Sequence, residues 1–333
     1  MLTHSSLEIR LSRLFSRHPR LRETASSLRR RILPAWSGGR SSAYWDERVS
    51  QVESGVVGGW LDSEFVDREY IRPQVSGDPG VSDLDYFFDR HLAGRPASRL
   101  LTLGCGGGNL ERIILKLGKA DHIDAFDESP KSIDLARQLA DREGFSDRID
   151  YTVANVNAVG LPAERYDAVV VRMALHHFEN LEHVFEQVRH ALRPGGSFMI
   201  NEFVGPSRFQ WTNLQLELMN RLFVGLPKEI RHRAPVERIQ RPILQDVIAR
   251  DPSESVRSSE ILTVLADYFE IVDLRPYGGT LLHVLLSYIL PLLDLDSEEH
   301  RALLRRMMLF EKTLIERGEL PSDFVFAVAR ARS

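Results

Sequence analysis

Gly104, Gly106, Gly107 and Gly108 surround Cys105 in the stretch LLTLGCGGGN at 100–109, where an apolar run turns through glycines. Such a turn accepts positive φ and lets a ligand approach the backbone where a Cβ would intrude. Asp127, followed by Glu128, closes the next apolar run. That is the place where doubly wound folds offer an acid to a ribose diol. His176 and His177 follow a further apolar run, and Glu202 lies near the end of another. A hydroxyl acceptor needs a general base and histidine is the commonest one, so His176, His177 and Glu202 are the catalytic candidates. A hydrogen-bonding anchor is the plainer role for Glu202. Lys228, Arg231, His232, Arg233, Arg238 and Arg241 crowd a later segment. Guanidinium groups grip phosphate or carboxylate in a forked geometry, and a solvated cationic face uses the same residues.

These groups need elements to hold them, and strand and helix signals alternate through the middle of the chain. Strands are expected near 99–103, 122–126, 148–154, 166–172 and 197–203, with helices between them, which describes a parallel sheet covered on both faces. The helix expected at 180–193 carries Leu181, Val184, Phe185, Val188, Ala191 and Leu192 on one face before Pro194-Gly195-Gly196. Ser82 should cap a helix reaching Leu92, with Asp83 and Asp85 in its favourable first turn. A long helical insertion is expected at 209–257, a strand at 269–274, a second helical insertion at 280–318 and a last strand at 324–329. The fold class is therefore α/β, a doubly wound seven-stranded sheet with helical cap insertions. The chain divides into a helical arm and lead-in at 1–80, a cofactor-binding core at 81–206, a cap at 207–268 and a sheet completion at 269–333. The lead-in, with Trp45, Trp60 and Tyr70, is placed to act as a lid.

The motifs LGCGGGN at 103–109, FDES at 126–129, ANVNAVGLP at 154–162, YDAVVVRMALHHF at 166–178 and LRPGGSFMINEF at 192–203, taken in this order, resemble the class I S-adenosylmethionine-dependent methyltransferase family. The resemblance covers roughly residues 99–203 and implies a Rossmann-like sheet with S-adenosylmethionine as cofactor. It implies that Gly104, Cys105, Gly106 and Gly108 line the methionine and ribose and that Asp127, with Glu128 beside it, accepts the ribose hydroxyls. It further implies that Asn155 and Val156 flank adenine and that Arg172 and Met173 close the methionine end. Two positions depart from the family: Thr102 stands where an acid is usual, and Asn155 where aspartate is usual. A nicotinamide dinucleotide is the rival cofactor, but its G-x-G-x-x-G fingerprint needs glycine where this chain has Asn109.

Composition narrows the partners. A formal net charge of -4 over 333 residues argues against nucleic acid, whose binding depends on clustered positive charge. The single cysteine excludes an internal disulfide and a multi-thiolate zinc site, no metal is expected, and a reducing cytoplasm is the fitting compartment. The longest apolar run, 280–293, is interrupted and shorter than the roughly 20 residues of a spanning helix. Residues 5–33 read as a basic amphipathic helix, which packs on protein or touches an anionic membrane surface. The expected function is methyl transfer, at oxygen or nitrogen, to a small-molecule or glycan-linked acceptor, with the cap arginines favouring an anionic one. The alternatives are a non-catalytic cofactor-binding or scaffold protein and an RNA or protein methyltransferase.

Overall fold

Side chains alternate along a strand, so neighbouring apolar residues in a buried strand serve two different cores. In the computed structural model, which describes Ser42, residues 44–46 and residues 59–332, that alternation is realised. Leu100, Val170 and Met199 join one core, while Leu101, Val169 and Ile200 join the other. The expected arm at 5–33 lies outside the described residues.

A 3-10 turn at Trp60–Asp62 leads into α1 (Glu64–Val66), a π turn at Asp67–Ile71 and α2 (Arg72–Val75). Next comes α3 (Asp83–His91), where Ser82 Oγ accepts from the Asp85 N–H at 3.1 Å, as its residue types predict. The alternating part follows as β1 (Ala97–Leu103), α4 (Asn109–Lys116), β2 (Ala120–Asp127), α5 (Pro130–Arg142), β3 (Ile149–Val153), β4 (Tyr166–Arg172), α6 (Leu181–Ala191) and β5 (Leu192–Phe203). The first insertion contains α7 (Asn213–Val224), α8 (Lys228–Arg233) and α9 (Leu244–Arg250), and α10 (Ile261–Tyr268) connects it to β6 (Phe269–Gly278). The second carries α11 (Leu282–Ile289) and α12 (Glu298–Glu316) before β7 (Phe324–Ala331).

Among the described residues these strands form one sheet in the order β3-β2-β1-β4-β5-β7-β6. β1 to β5 are parallel, and β7 runs antiparallel between β5 and β6. The chain walks outward from β1 to β3 and then returns to the other side of β1 as β4. A crevice is left above the C-terminal ends of β1 and β4, where open α/β sheets bind ligands. The core containing α3, α4, α5, α7, α11 and α12 covers one face, and α6 and α10 cover the other.

One expected boundary moves. The helix at 180–193 stops at Ala191, because Leu192 already pairs with Tyr166 and opens β5 ahead of the Pro-Gly-Gly segment. The insertion expected at 209–257 is helical, and it is divided among three helices. Pro227 precedes α8 as its N-cap, and Pro235 and Pro242 lie in the stretch between α8 and α9, where a ring without an N–H cannot continue a helix. Among the described residues no helix is long and apolar enough to cross a membrane.

Candidate cofactor and acceptor site

The glycine turn sits at the switch point. Gly104 has φ +71°, and a Cβ there would come within 2.5 Å of the Ala174 methyl carbon, so the turn lies hard against the segment after β4. Its N–H and that of Cys105 donate to the Phe126 carbonyl at 2.8 and 3.1 Å, which ties the turn to β2. Gly106, at φ +51°, has open space where a Cβ would be. Its N–H donates to Asp127 Oδ2 at 2.8 Å, and the Ser129 N–H donates to Oδ1 at 2.9 Å. Burial raises the Asp127 carboxyl above the usual range, and those two N–H groups offset part of the rise. Gly108, at φ +72°, serves packing instead: a Cβ there would collide with the Tyr151 hydroxyl and with Ala136.

A cavity of about 530 Å³ opens from this turn. Thr102, Gly104, Cys105, Gly107 and Glu111 form its floor, and Arg172 and Met173 stand at the end of β4. Met173 adopts φ +52°, an unusual value for a side chain of its size. The opposite wall comes from the lead-in, with Trp60, Ile71, Arg72 and Val75, and from Tyr277 and His283 around the second insertion. Trp60 stacks on Tyr277 with ring centroids 6.1 Å apart. The Tyr277 hydroxyl donates to Asn201 Oδ1 at 2.5 Å, and Asn201 Nδ2 donates to Asp83 at 2.6 Å. Both lining arginines face acids: Arg72 lies 2.6 Å from Asp67, and Arg172 lies 3.4 Å from Asp83. The Asp83 charge raises the pKa of Arg172 further. His283 Nδ1 is buried without a hydrogen-bond partner among the described residues. Burial, with the nearby His176 second, lowers its pKa to about 4, so the ring is neutral at pH 7.

Comparison with known proteins agrees with this layout. A family model described as a methyltransferase domain matches residues 101–200. That span is a class I S-adenosylmethionine-dependent methyltransferase domain. Over 129 residues the chain is 27% identical to a sterol 24-C-methyltransferase from Gibberella zeae, covering 39% of this chain and 34% of that protein. It is 29% identical over 110 residues to a ubiquinone/menaquinone biosynthesis C-methyltransferase from Hydrogenovibrio crunogenus, covering 33% of this chain and 43% of the relative. The chain thus spans between a third and a half of the length of these relatives. Geranyl diphosphate C-methyltransferase from Streptomyces coelicolor has the same fold, with a TM-score of 0.51 at 14% identity over 90% of this chain and 100% of that one.

Within the methyltransferase domain the candidate residues fall into three places. Gly104, Cys105, Arg172 and Met173 line the cavity. Gly106, Asp127 and Glu128 form the corner beside it, where the described part of the lead-in also touches down. Ser42 Oγ donates to the Glu128 carbonyl at 3.0 Å, Ser129 Oγ donates to Asp46 at 2.6 Å, and Trp45 meets the His177 ring edge-on at 4.9 Å. Asn155 and Val156 follow β3. Asn155 Oδ1 accepts from the Asn157 N–H at 3.0 Å, and Val156 is buried in the second core.

His176, His177 and Glu202 stand together but none of them lines the cavity. Glu202 is fully buried and accepts from the N–H groups of Ala174, Leu175 and Phe203 at 2.9, 2.6 and 2.6 Å, and from His176 Nδ1. It therefore ties β5 to the turn after β4. Burial works against charge on His176, yet the Glu202 carboxylate outweighs it and raises the pKa. His177 Nδ1 lies 3.1 Å from Ser253 Oγ, which joins this turn to the end of the first insertion. Arg231, Arg233 and Arg238 also stand away from the cavity: the first donates to the Val224 carbonyl at 2.7 Å, and the other two are exposed. The motive for reading these cap arginines as an anion-gripping set is thereby removed. Reading by motif missed Glu111, Asp83 and Asn201. The only available signals were an acid in the first turn after the glycines, another in the first turn of α3, and an amide inside an apolar strand.

Proposed function

We propose that the protein transfers the methyl group of S-adenosylmethionine to an oxygen or nitrogen of an uncharged small-molecule acceptor with a largely apolar body. What carries this reading is that the glycine turn and the Trp60–Tyr277–His283 wall enclose one space. The residues present fit the cofactor: Gly106 leaves open space where a Cβ would stand, and Asp127 is held by two N–H groups beside it. Asp127 would receive the ribose hydroxyls, Asn155 and Val156 the adenine, and Gly104, Cys105, Arg172 and Met173 the methionine end. When bound, the cofactor supplies an electrophilic methyl group on a sulfonium.

The chain's own work is alignment and exclusion of water, which ranks among the larger contributions to such displacements. Trp60, Ile71 and Val75 give the acceptor an apolar surface. Each lining arginine already faces an acid, which favours an uncharged acceptor over an anionic one. His283, neutral and lining the cavity, accepts a hydrogen bond from the acceptor in this reading and the acceptor's proton leaves to solvent, while Glu202 and His176 hold the turn.

The test begins with calorimetry, in which S-adenosylmethionine should bind and a nicotinamide dinucleotide should not. His283→Phe should then raise the acceptor KM by about tenfold with cofactor affinity unchanged. Turnover to S-adenosylhomocysteine should favour uncharged apolar acceptors. Failure to bind S-adenosylmethionine, or turnover confined to phosphorylated acceptors, would sink the proposal.

A further inference from the structure

Glu111 is a carboxylate with nothing to do in the bare fold. It occupies the first turn of α4, directly after the glycines, with a relative exposure of 0%. Among the described residues neither of its oxygens has a hydrogen-bond partner, and neither does the Thr102 hydroxyl beside it. Both residues lie on the floor of the cavity, next to Gly104 and Cys105. Thr102 occupies the strand position where this family usually carries an acid.

A buried carboxylate lacking partners is retained at a cost unless something charged comes to meet it. The rest of the cavity does not supply that cation. Arg112, the next residue, turns away: it donates to the Gly107 carbonyl at 2.8 Å and lies 3.3 Å from Glu143. Arg72 and Arg172 face Asp67 and Asp83. The other titratable groups around Glu111 are the Cys105 thiol and the Tyr151 phenol, which burial pushes upward and keeps neutral, and Asp127, whose charge is of the same sign.

We propose that Glu111 binds the ammonium group at the methionine end of S-adenosylmethionine, replacing from helix α4 the acid that strand β1 lacks at Thr102. This rests on the proposed function above and adds to it a relocated binding residue. Burial raises the free carboxyl to about 7. The arriving ammonium lowers it again, so cofactor binding at pH 7 releases a fraction of a proton. Affinity accordingly rises from pH 6 to about 7.5. It falls again once the ligand's own α-amino group deprotonates near roughly 7.7–8.0.

The experiment is calorimetry on the whole protein with two probes, S-adenosylmethionine and 5′-methylthioadenosine, which keeps the adenosine and the thioether but has no ammonium group. Glu111→Gln should weaken S-adenosylmethionine binding by about 10- to 100-fold and leave 5′-methylthioadenosine binding unchanged. It should also abolish the proton release read from the buffer dependence of the heat and remove the rising limb below pH 7.5. Glu111→Gln/Thr102→Asp, with the acid restored to the strand, should regain most of the lost affinity. Equal losses for the two probes, or an unchanged S-adenosylmethionine affinity, would overturn the assignment. So would a double variant that binds 5′-methylthioadenosine normally yet regains nothing. If the wild-type protein binds neither probe, the reading of the site as a cofactor pocket fails, and this inference fails with it.

Discussion

Glu111 and Asp323 are carboxyls that the fold buries with no ion-pair contact among the described residues. Burial leads in both cases, helped at Asp323 by the charge of Glu311, and both pKa values rise to about 7. The folded state therefore holds protons that the unfolded state has already released, so stability is present at low pH and is lost as pH rises through about 7. Lowering the pH of the ligand-free protein from 8 to 6 should raise its unfolding free energy by roughly 1 kcal/mol for each carboxyl. His283 acts in the opposite sense, because its lowered pKa penalises protonation, but that loss is felt mainly below pH 6. Denaturant unfolding at the two pH values checks the sum. Glu111→Gln should lose its share of the pH dependence, and a curve identical to wild type would contradict the burial argument.

At the scale of elements, the turn after β4 is the piece whose position the whole site depends on. Gly104 packs against Ala174, Glu202 receives the N–H groups of Ala174 and Leu175, and the Met173 N–H donates to the Asn201 carbonyl at 2.9 Å. Glu202 was a candidate base from its place near the end of β5, and its surroundings suit an anchor. The two roles predict different things. Removing one partner of a buried ionic pair leaves the other uncompensated, so Glu202→Ala should destabilise the protein by about 3–5 kcal/mol. A base would lower kcat at unchanged stability, and that pattern in unfolding and turnover measurements would return Glu202 to the chemistry.

The cavity belongs to the whole molecule, since its floor comes from β1 and α4, one wall from the lead-in and another from the end of β6 and α11. The first insertion supports this assembly from behind. Met219, Phe223, Leu226 and Ile230 share a core with Leu281, Leu282 and Leu285, while the arginines between them face outward or bond locally. Replacing Arg231, Arg233 and Arg238 together with Gln should leave both cofactor affinity and acceptor KM unchanged. Trp60→Ala should raise acceptor KM by about tenfold or more, because a stacked, buried aromatic is a dominant contact, with little effect on the cofactor. A KM that follows the arginines and ignores Trp60 would reverse this division of labour.

What the sequence by itself determined is the local and periodic part. Apolar runs alternating with amphipathic stretches placed the sheet, the order of its motifs pointed to the methyltransferase core, and Ser82 marked a helix start at the position observed. Those signals are legible because each depends on the residue and its near neighbours. Only the tertiary structure decided the rest. It turned Glu111 toward the cavity and Glu202 toward the backbone, although both are single acids beside apolar residues in the chain. It brought Trp60 onto Tyr277 across most of the chain's length, and it carried the cap arginines away from the cavity they were expected to line. An acid, an arginine or an aromatic ring reads the same in sequence whichever way it faces. Its direction is set by packing between segments far apart in the chain, and no local pattern records that.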